Sequence, residues 1–386
     1  MNPDLPDLPD LPDLPTVRLT GPDALICAVP YLLGFTPERS VVVVVWVSPL
    51  DHEVVLTMRA DLAVGADAGG LHPDFACVLS RAALSVPADS VPYLVAYPDP
   101  DPDTDTDTDA SRNPLTHDAR LPGASDVRAI VDWLVAEGRS PGDALCVVGQ
   151  RWWSYLCSET SCCDLCGHAI DAEVAHDVKA RFVVAGRAPR GTRDDLVAEL
   201  SPAPAGVVRR MRTLITATGV SVGTRGRGVS LPMSATVRAR AWRALTLLVE
   251  RPDQLTLDDQ ALVLVALRDG LLRDAFLALT VRTANVRGIP AQREVADALV
   301  AIVVLAPRHF VAQAAACLAV LRYLEGDGAR AWVAIDRARG DDPSCRLATL
   351  AAVGLEGALA PSWWREVLSS LDPDDLREGR VAFGAA

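Results

Sequence analysis

Lysine is all but missing from this chain. Of its 37 basic residues only Lys179 is a lysine, and the rest are arginines. Lysine-based catalysis is thereby excluded everywhere but at position 179. Long hydrophobic runs are missing too. Runs such as Val41 to Val47 and Ala298 to Ala306 fall short of the roughly 18 residues that a membrane-spanning helix needs. No basic stretch precedes an apolar one at the start, which argues against a secretory signal. Neither a Walker motif nor a dinucleotide glycine fingerprint occurs. The nine cysteines are an odd count. Without a secretion signal they read as free thiols or a metal site rather than a disulfide framework. The expected location is the cytoplasm, with no membrane partner.

Acid is plentiful. The net charge of −13 disfavours non-specific binding of nucleic acid by the chain as a whole. Half the residues are apolar, enough for a sizeable core, and 386 residues suggest two or three domains at about 150 each.

Residues 2–15 repeat Pro-Asp-Leu, which denies the backbone regular donors and predicts a disordered leader over 1–16. Asp23 to Gly34 reads as a helix broken at Pro30 and stopped at Gly34. The valine run 41–47 suits a strand buried on both faces. Glu53 to Arg59 alternates, as a strand nearer an edge does. Helices are predicted from Pro73 to Leu84 and, capped by Ser125, to Glu137. Strands are predicted at Val91 to Tyr97, Ala144 to Val148 and Trp152 to Cys157, the last two joined by a hairpin at Gly149-Gln150. The aspartate-rich run 99–109 predicts a solvated acidic loop. Residues 17–185 therefore read as an α/β domain, a mixed sheet with helices. An arginine-rich helical and loop junction follows over 186–255. Beyond it lies an all-α domain over 256–372; helices are predicted at 237–250 within the junction and at 258–279, 292–305, 312–325 and 330–339 in the domain. Gly326, Ala331, Ile335, Ala338 and Pro343 match the second half of a tetratricopeptide repeat, which predicts a TPR-like helical hairpin. Residues 373–386 read as a flexible tail.

Four segments carry a family resemblance. They are Val29-Pro30-Tyr31-Leu32-Leu33-Gly34-Phe35 with Pro37 and Ser40; Arg59-Ala60-Asp61; Trp153-Ser154-Tyr155-Leu156-Cys157 with Cys162-Cys163 and Gly167; and Leu267-Arg268-Asp269 with Arg273-Asp274, Gly326-Asp327-Gly328-Ala329 and Asp342-Pro343. Together, over residues 17 to 370, they resemble the actinobacterial family labelled domain of unknown function 4192. The alanine-, valine-, proline- and aspartate-rich composition agrees with GC-rich coding. The resemblance implies a cytosolic bacterial protein and carries no reaction with it. Cys166 and His168 stand outside the family pattern.

Three constellations bear on chemistry. Cys157, Cys162, Cys163, Cys166 and His168 form a cluster in which Cys163 and Cys166 have the zinc-knuckle spacing. Cys157 with either Cys162 or His168 completes four ligands for a structural zinc. The bland reading is buried or loop thiols. Gly219-Val220-Ser221-Val222-Gly223 matches a nucleophile elbow, which demands a strand before it and a helix after it. The Gly- and Arg-rich stretch that follows does not suit a helix. Residues 207–249 hold eight arginines and no acid. Arg209, Arg210, Arg212, Arg225 and Arg227 are the candidate anion-binding groups, and Arg238, Arg240 and Arg243 complete the set. Internal pairing with the protein's own carboxylates is the alternative.

No complete catalytic set is present. The chain reads as a non-enzymatic binding, scaffolding or regulatory protein that takes a protein partner through its helical half. One alternative is an enzyme acting on a small molecule or phosphate ester in a cleft between the two halves. The other is a nucleic-acid-associated regulator working through 207–249. The signature around Pro30 reads as a folding corner with no polar group of its own.

Overall fold

The computed structural model describes residues 20–40, 43–48, 54–62, 73–98, 121–157, 159, 166–219 and 233–380. The leader, the acidic run 99–109, Cys162, Cys163, Ser221, Arg225 and Arg227 lie outside them. Two compact units divide the chain, Met1–Arg193 and Asp194–Ala386.

The first unit contains α1 (Gly21–Leu33), β1 (Val43–Val47), β2 (Val54–Arg59), α2 (Pro73–Ser85), β3 (Val91–Ala96), α3 (Ala124–Ala136), β4 (Asp143–Val148), β5 (Arg151–Ser154), β6 (His168–Ala169) and α4 (Ala172–Val184). Its mixed six-stranded sheet has the order β2-β1-β3-β4-β5-β6. The β3–β4 pair is parallel and the other pairs are antiparallel. β2, the alternating strand, lies at an edge as its pattern predicts. Because side chains alternate along a strand, Trp46, Leu94, Ala96 and Ala144 share one face, where Leu79 of α2 and Val127, Ile130 and Leu134 of α3 bury them. Val47, Val95, Leu145 and Val147 point to the other face and are buried as well. There α1 and α4 pack together through Ala24, Ala28, Val178 and Phe182.

Several elements differ from the sequence expectation. α1 runs unbroken through Pro30. Proline removes the N–H that would reach the carbonyl four residues back, that of Ile26. The Tyr97 hydroxyl donates to that same carbonyl at 3.4 Å, so the helix continues without an orphan acceptor. Gly34 ends it in the left-handed region at φ 79°. The N-cap of α3 is Gly123, with no side-chain bond, and Ser125 lies inside the helix. β5 stops at Ser154 rather than Cys157, because Ser154 Oγ accepts the Leu156 and Cys157 N–H groups (3.1 and 3.2 Å) and turns the chain. α4 has no counterpart in the expectation. Asp171 caps its start, and Val174, Val178 and Phe182 recur at intervals of four.

The second unit is helical. Its elements are α5 (Arg193–Glu199), which begins at the boundary, α6 (Ala205–Ala217), α7 (Ala235–Glu250), α8 (Leu257–Leu267), α9 (Gly270–Arg287), α10 (Ile289–Leu305), α11 (Val311–Leu324), α12 (Gly328–Asp341), α13 (Arg346–Glu356), α14 (Pro361–Ser370) and α15 (Pro373–Glu378). α11 is buried at every residue except Gln313, and α8 is buried from Ala261 to Leu267. Each such leucine or valine contributes about 1.5–3 kcal/mol relative to exposure. The helix expected over 258–279 is two helices. Asp269 breaks it by accepting the N–H groups of Leu271 and Leu272, both at 3.1 Å, as the N-cap of α9. The expected tail begins with α15, whose Leu376 packs on Ala275 and Ala278 of α9.

Candidate functional site

The third family segment builds a structural knot. Ser154 Oγ donates to Asp143 Oδ1 at 2.6 Å. Gly167 sits at φ +67°, where an added Cβ would fall 2.3 Å from the Trp153 ring. His168 lies opposite Trp152 in the β5–β6 ladder and stacks on its indole at 4.3 Å between centroids. Arg151 donates to the Cys166 and Gly167 carbonyls at 2.8 and 2.9 Å. Cys157 lies half-buried beyond the end of β5, and Cys166 is exposed. The structure thus seats Cys166 and His168 beside Arg151 and Trp152. Cys162 and Cys163, needed to complete four ligands, lie outside the described residues. Among the described residues, no group of three or more His, Cys, Asp or Glu is placed to hold a metal ion.

The arginine set divides. Arg238 is spent internally: it pairs at 2.8 Å with Asp269, whose side chain is fully buried, and also donates to the Arg377 carbonyl. Arg209, Arg210 and Arg212 on α6 and Arg240 and Arg243 on α7 are exposed. Among the described residues none of these five has a carboxylate partner. Met211 and Ile215 turn the other side of α6 into the core, so the arginines project outward. α6 and α7 both pack against the buried α8. The elbow reading of Ser221 needs a strand ahead of it, but residues 205–217 are helical.

The remaining paired motifs hold the helical unit together. Arg268 stacks over the Phe310 ring at 4.7 Å. Arg273 bonds Asp274 and Gln313 at 2.8 and 2.9 Å. The single helix expected over 258–279 would have carried both Arg268-Asp269 and Arg273-Asp274, but α8 ends at Leu267 and Asp269 caps α9, so only the second pair lies within a helix. Asp327 caps α12. Asp341 accepts the His309 and Ala312 N–H groups, which ties exposed His309 into its turn. Arg322, nearly buried, bridges Glu325 at 3.0 Å and Asp297 at 2.5 Å. Next to it lies a cavity of about 10 Å3 lined by Leu196, Leu200, Val300, Leu318, Arg322 and Arg330, room for about one water.

A polar cluster also forms at the corner that the sequence left without one. Phe35 is buried, and the Arg59 guanidinium lies over its ring, 5.5 Å from the centroid. Arg59 Nε donates to Ser40 Oγ at 2.7 Å, and Nη2 donates to Ser40 Oγ and to Asp61 Oδ1 (2.6 Å). Ser40 is wholly buried and donates to the Glu38 carbonyl at 2.8 Å. Phe35 bridges to Arg190, and the Thr36 N–H bonds the Gly191 carbonyl, which brings in the segment that ends at Arg193. The Arg59 pKa is lowered: burial pulls it down, Asp61 pushes it back, and Arg193 pulls it down again. One signal was available in the sequence. Arg59 ends an alternating strand with Asp61 two residues on, the spacing that puts both on one side. Its partner Ser40 is 19 residues away and no pattern links them.

A family model described as "Domain of unknown function (DUF4192)" matches residues 22–362. No curated protein and no solved structure matches the chain.

Proposed function

The chain belongs to the DUF4192 family, and from that premise we propose that it is a non-catalytic binding protein whose helical unit docks an acidic polypeptide partner. One observation carries this reading: Arg209, Arg210, Arg212, Arg240 and Arg243 stand exposed and unpaired among the described residues on the two helices that flank α8. An exposed guanidinium without a counter-charge is suited to carboxylates from outside, which it can bind in bidentate fashion. The buried Ala331, Ile335 and Ala338 of α12 support a repeat-like helical hairpin, an architecture suited to displaying helix faces. The water-sized cavity beside Arg322 gives no support to a small-molecule substrate in the helical unit. The charge of −13 favours a short acidic segment over a nucleic acid, because a long polyanion meets the repulsion of the whole chain.

Fluorescence anisotropy with a labelled aspartate- and glutamate-rich peptide and a DNA duplex of equal charge tests the reading. The peptide is expected to bind more tightly than the duplex. R209E/R210E/R212E is expected to weaken peptide binding by about tenfold or more. An unchanged affinity in the triple variant, or tighter binding of the duplex, overturns it.

A further inference from the structure

We infer that the cavity beside Arg322 is a binding site for a single water molecule, held jointly by the side chains of Arg322, Arg330 and Glu199. Arg322 keeps 5% exposure, and both of its terminal nitrogens are taken. Nη1 donates to Glu325 at 3.0 Å and Nη2 to Asp297 at 2.5 Å. Nε is buried and has no hydrogen-bond partner among the described residues. In the unfolded chain that N–H bonds to solvent, so burying it without an acceptor costs the full desolvation of a charged donor. Buried donors are almost always satisfied, by ordered water where no protein acceptor reaches them. The two ion pairs fix the planar fork, so Nε cannot turn to another acceptor.

The cavity gives that acceptor a place. It measures about 10 Å3, and Arg322, Arg330 and Glu199 line it together with Leu200, Leu318 and Val333. Such a volume holds about one water, and a water stays in a buried site only where polar groups meet it. Arg330 and Glu199 provide them. Arg330 Nη1 is taken by Asp327 at 2.7 Å, while its Nε lies 3.6 Å from Glu199 Oε2. That separation exceeds a direct hydrogen bond, and a water set beside the pair can bond both ends. One water then accepts from Arg322 Nε and Arg330 Nε and donates to Glu199 Oε2, about the usual complement of bonds for a buried water. A neutral ligand fits where an anion does not, because Glu325, Asp297, Asp327 and Glu199 already answer the charge of the two guanidinium groups.

Each of the three side chains comes from a different helix. Glu199 is the last residue of α5, Arg322 lies in the last turn of α11, and Arg330 in the first turn of α12. The water therefore fastens α5 to α11 and α12. Leu196 is the buried residue of α5, so this polar anchor at the end of the helix adds to a small apolar one. The site lies wholly in the second unit and is independent of the arginines on α6 and α7.

The test is a crystal structure of the full chain at a resolution that shows ordered water. A density peak is expected in the cavity, within hydrogen-bond distance of Arg322 Nε and Glu199 Oε2. V333I gives a second measurement, because its added methylene takes up space in the cavity that Val333 lines. Filling a dry void restores missing contacts and raises the melting temperature. Filling a wet one expels the water and strands Arg322 Nε, so V333I is expected to lose the peak and to melt at least about 2 °C lower. A cavity without density in the unmodified chain, a peak out of reach of Arg322 Nε, or a V333I melting temperature at or above that of the unmodified chain overturns the inference.

Discussion

Glu325 and Arg59 show how burial decides what a charged residue does. The Glu325 side chain keeps 4% exposure beside Arg322 and Arg293, yet its pKa is raised. Desolvation outweighs the pull of Arg322. Below the ordinary carboxylate pKa both folded and unfolded chains hold the proton, and stability from this group is complete. As pH rises the unfolded chain releases its proton first, so unfolding free energy falls until the folded pKa is passed. E325Q removes that titration. The unfolding free energy of the unmodified chain minus that of E325Q, from urea denaturation, is expected to decline as pH rises above the ordinary glutamate pKa of about 4.3. A difference that stays flat or rises with pH sinks the assignment. Arg59 teaches the complementary lesson about legibility. Its strand position and its spacing to Asp61 were visible in the sequence. Its partners Ser40 and Phe35 were not, because hydrogen bonds across 19 residues depend on how a helix, a turn and two strands close on one another.

Pro30 and Asp269 mark where local rules met tertiary structure. The sequence predicts a break at proline because a backbone acceptor loses its donor. It could not predict that Tyr97, at the far end of β3, would replace that donor at the Ile26 carbonyl. Y97F is expected to cost about 1 kcal/mol. P30A restores an N–H to the helix, so Y97F is expected to cost distinctly less in that background. A double-mutant cycle on unfolding free energies measures the difference. Equal costs in both backgrounds remove the compensation. At Asp269 the failure ran the other way. An apolar periodicity that spans 258–279 hid a helix boundary whose only sign is an aspartate followed by Gly270, a good N-cap pair. Arg238 then meets that aspartate from α7, 31 residues earlier in the chain. The long apolar helices were legible because their pattern is strong. Short elements such as β6 and α15 were not, because they exist only through the surfaces they join.

The division into a mixed-sheet unit and a helical unit was readable from the change of hydrophobic period, and the structure sets the boundary at Arg193 and Asp194. The helical unit has its own buried core, with α8 and α11 enclosed by their neighbours. A fragment of residues 194–386 is therefore expected to fold alone, with a helical circular dichroism spectrum and a cooperative thermal transition. It is also expected to retain the acidic-peptide binding proposed for α6 and α7. A fragment without cooperative unfolding refutes its independence. The enclosure of α11 also reaches back into biosynthesis. A helix with almost no polar surface needs α12 and α13 to cover it, and these end at Glu356, 32 residues after Leu324. At about 5–20 residues per second of translation, that interval lasts roughly 2 to 6 seconds. For that time the face of α11 that α12 and α13 cover stays bare. The yield of soluble protein is then set at the ribosome, by how fast translation delivers the cover and by what shields that face until it arrives.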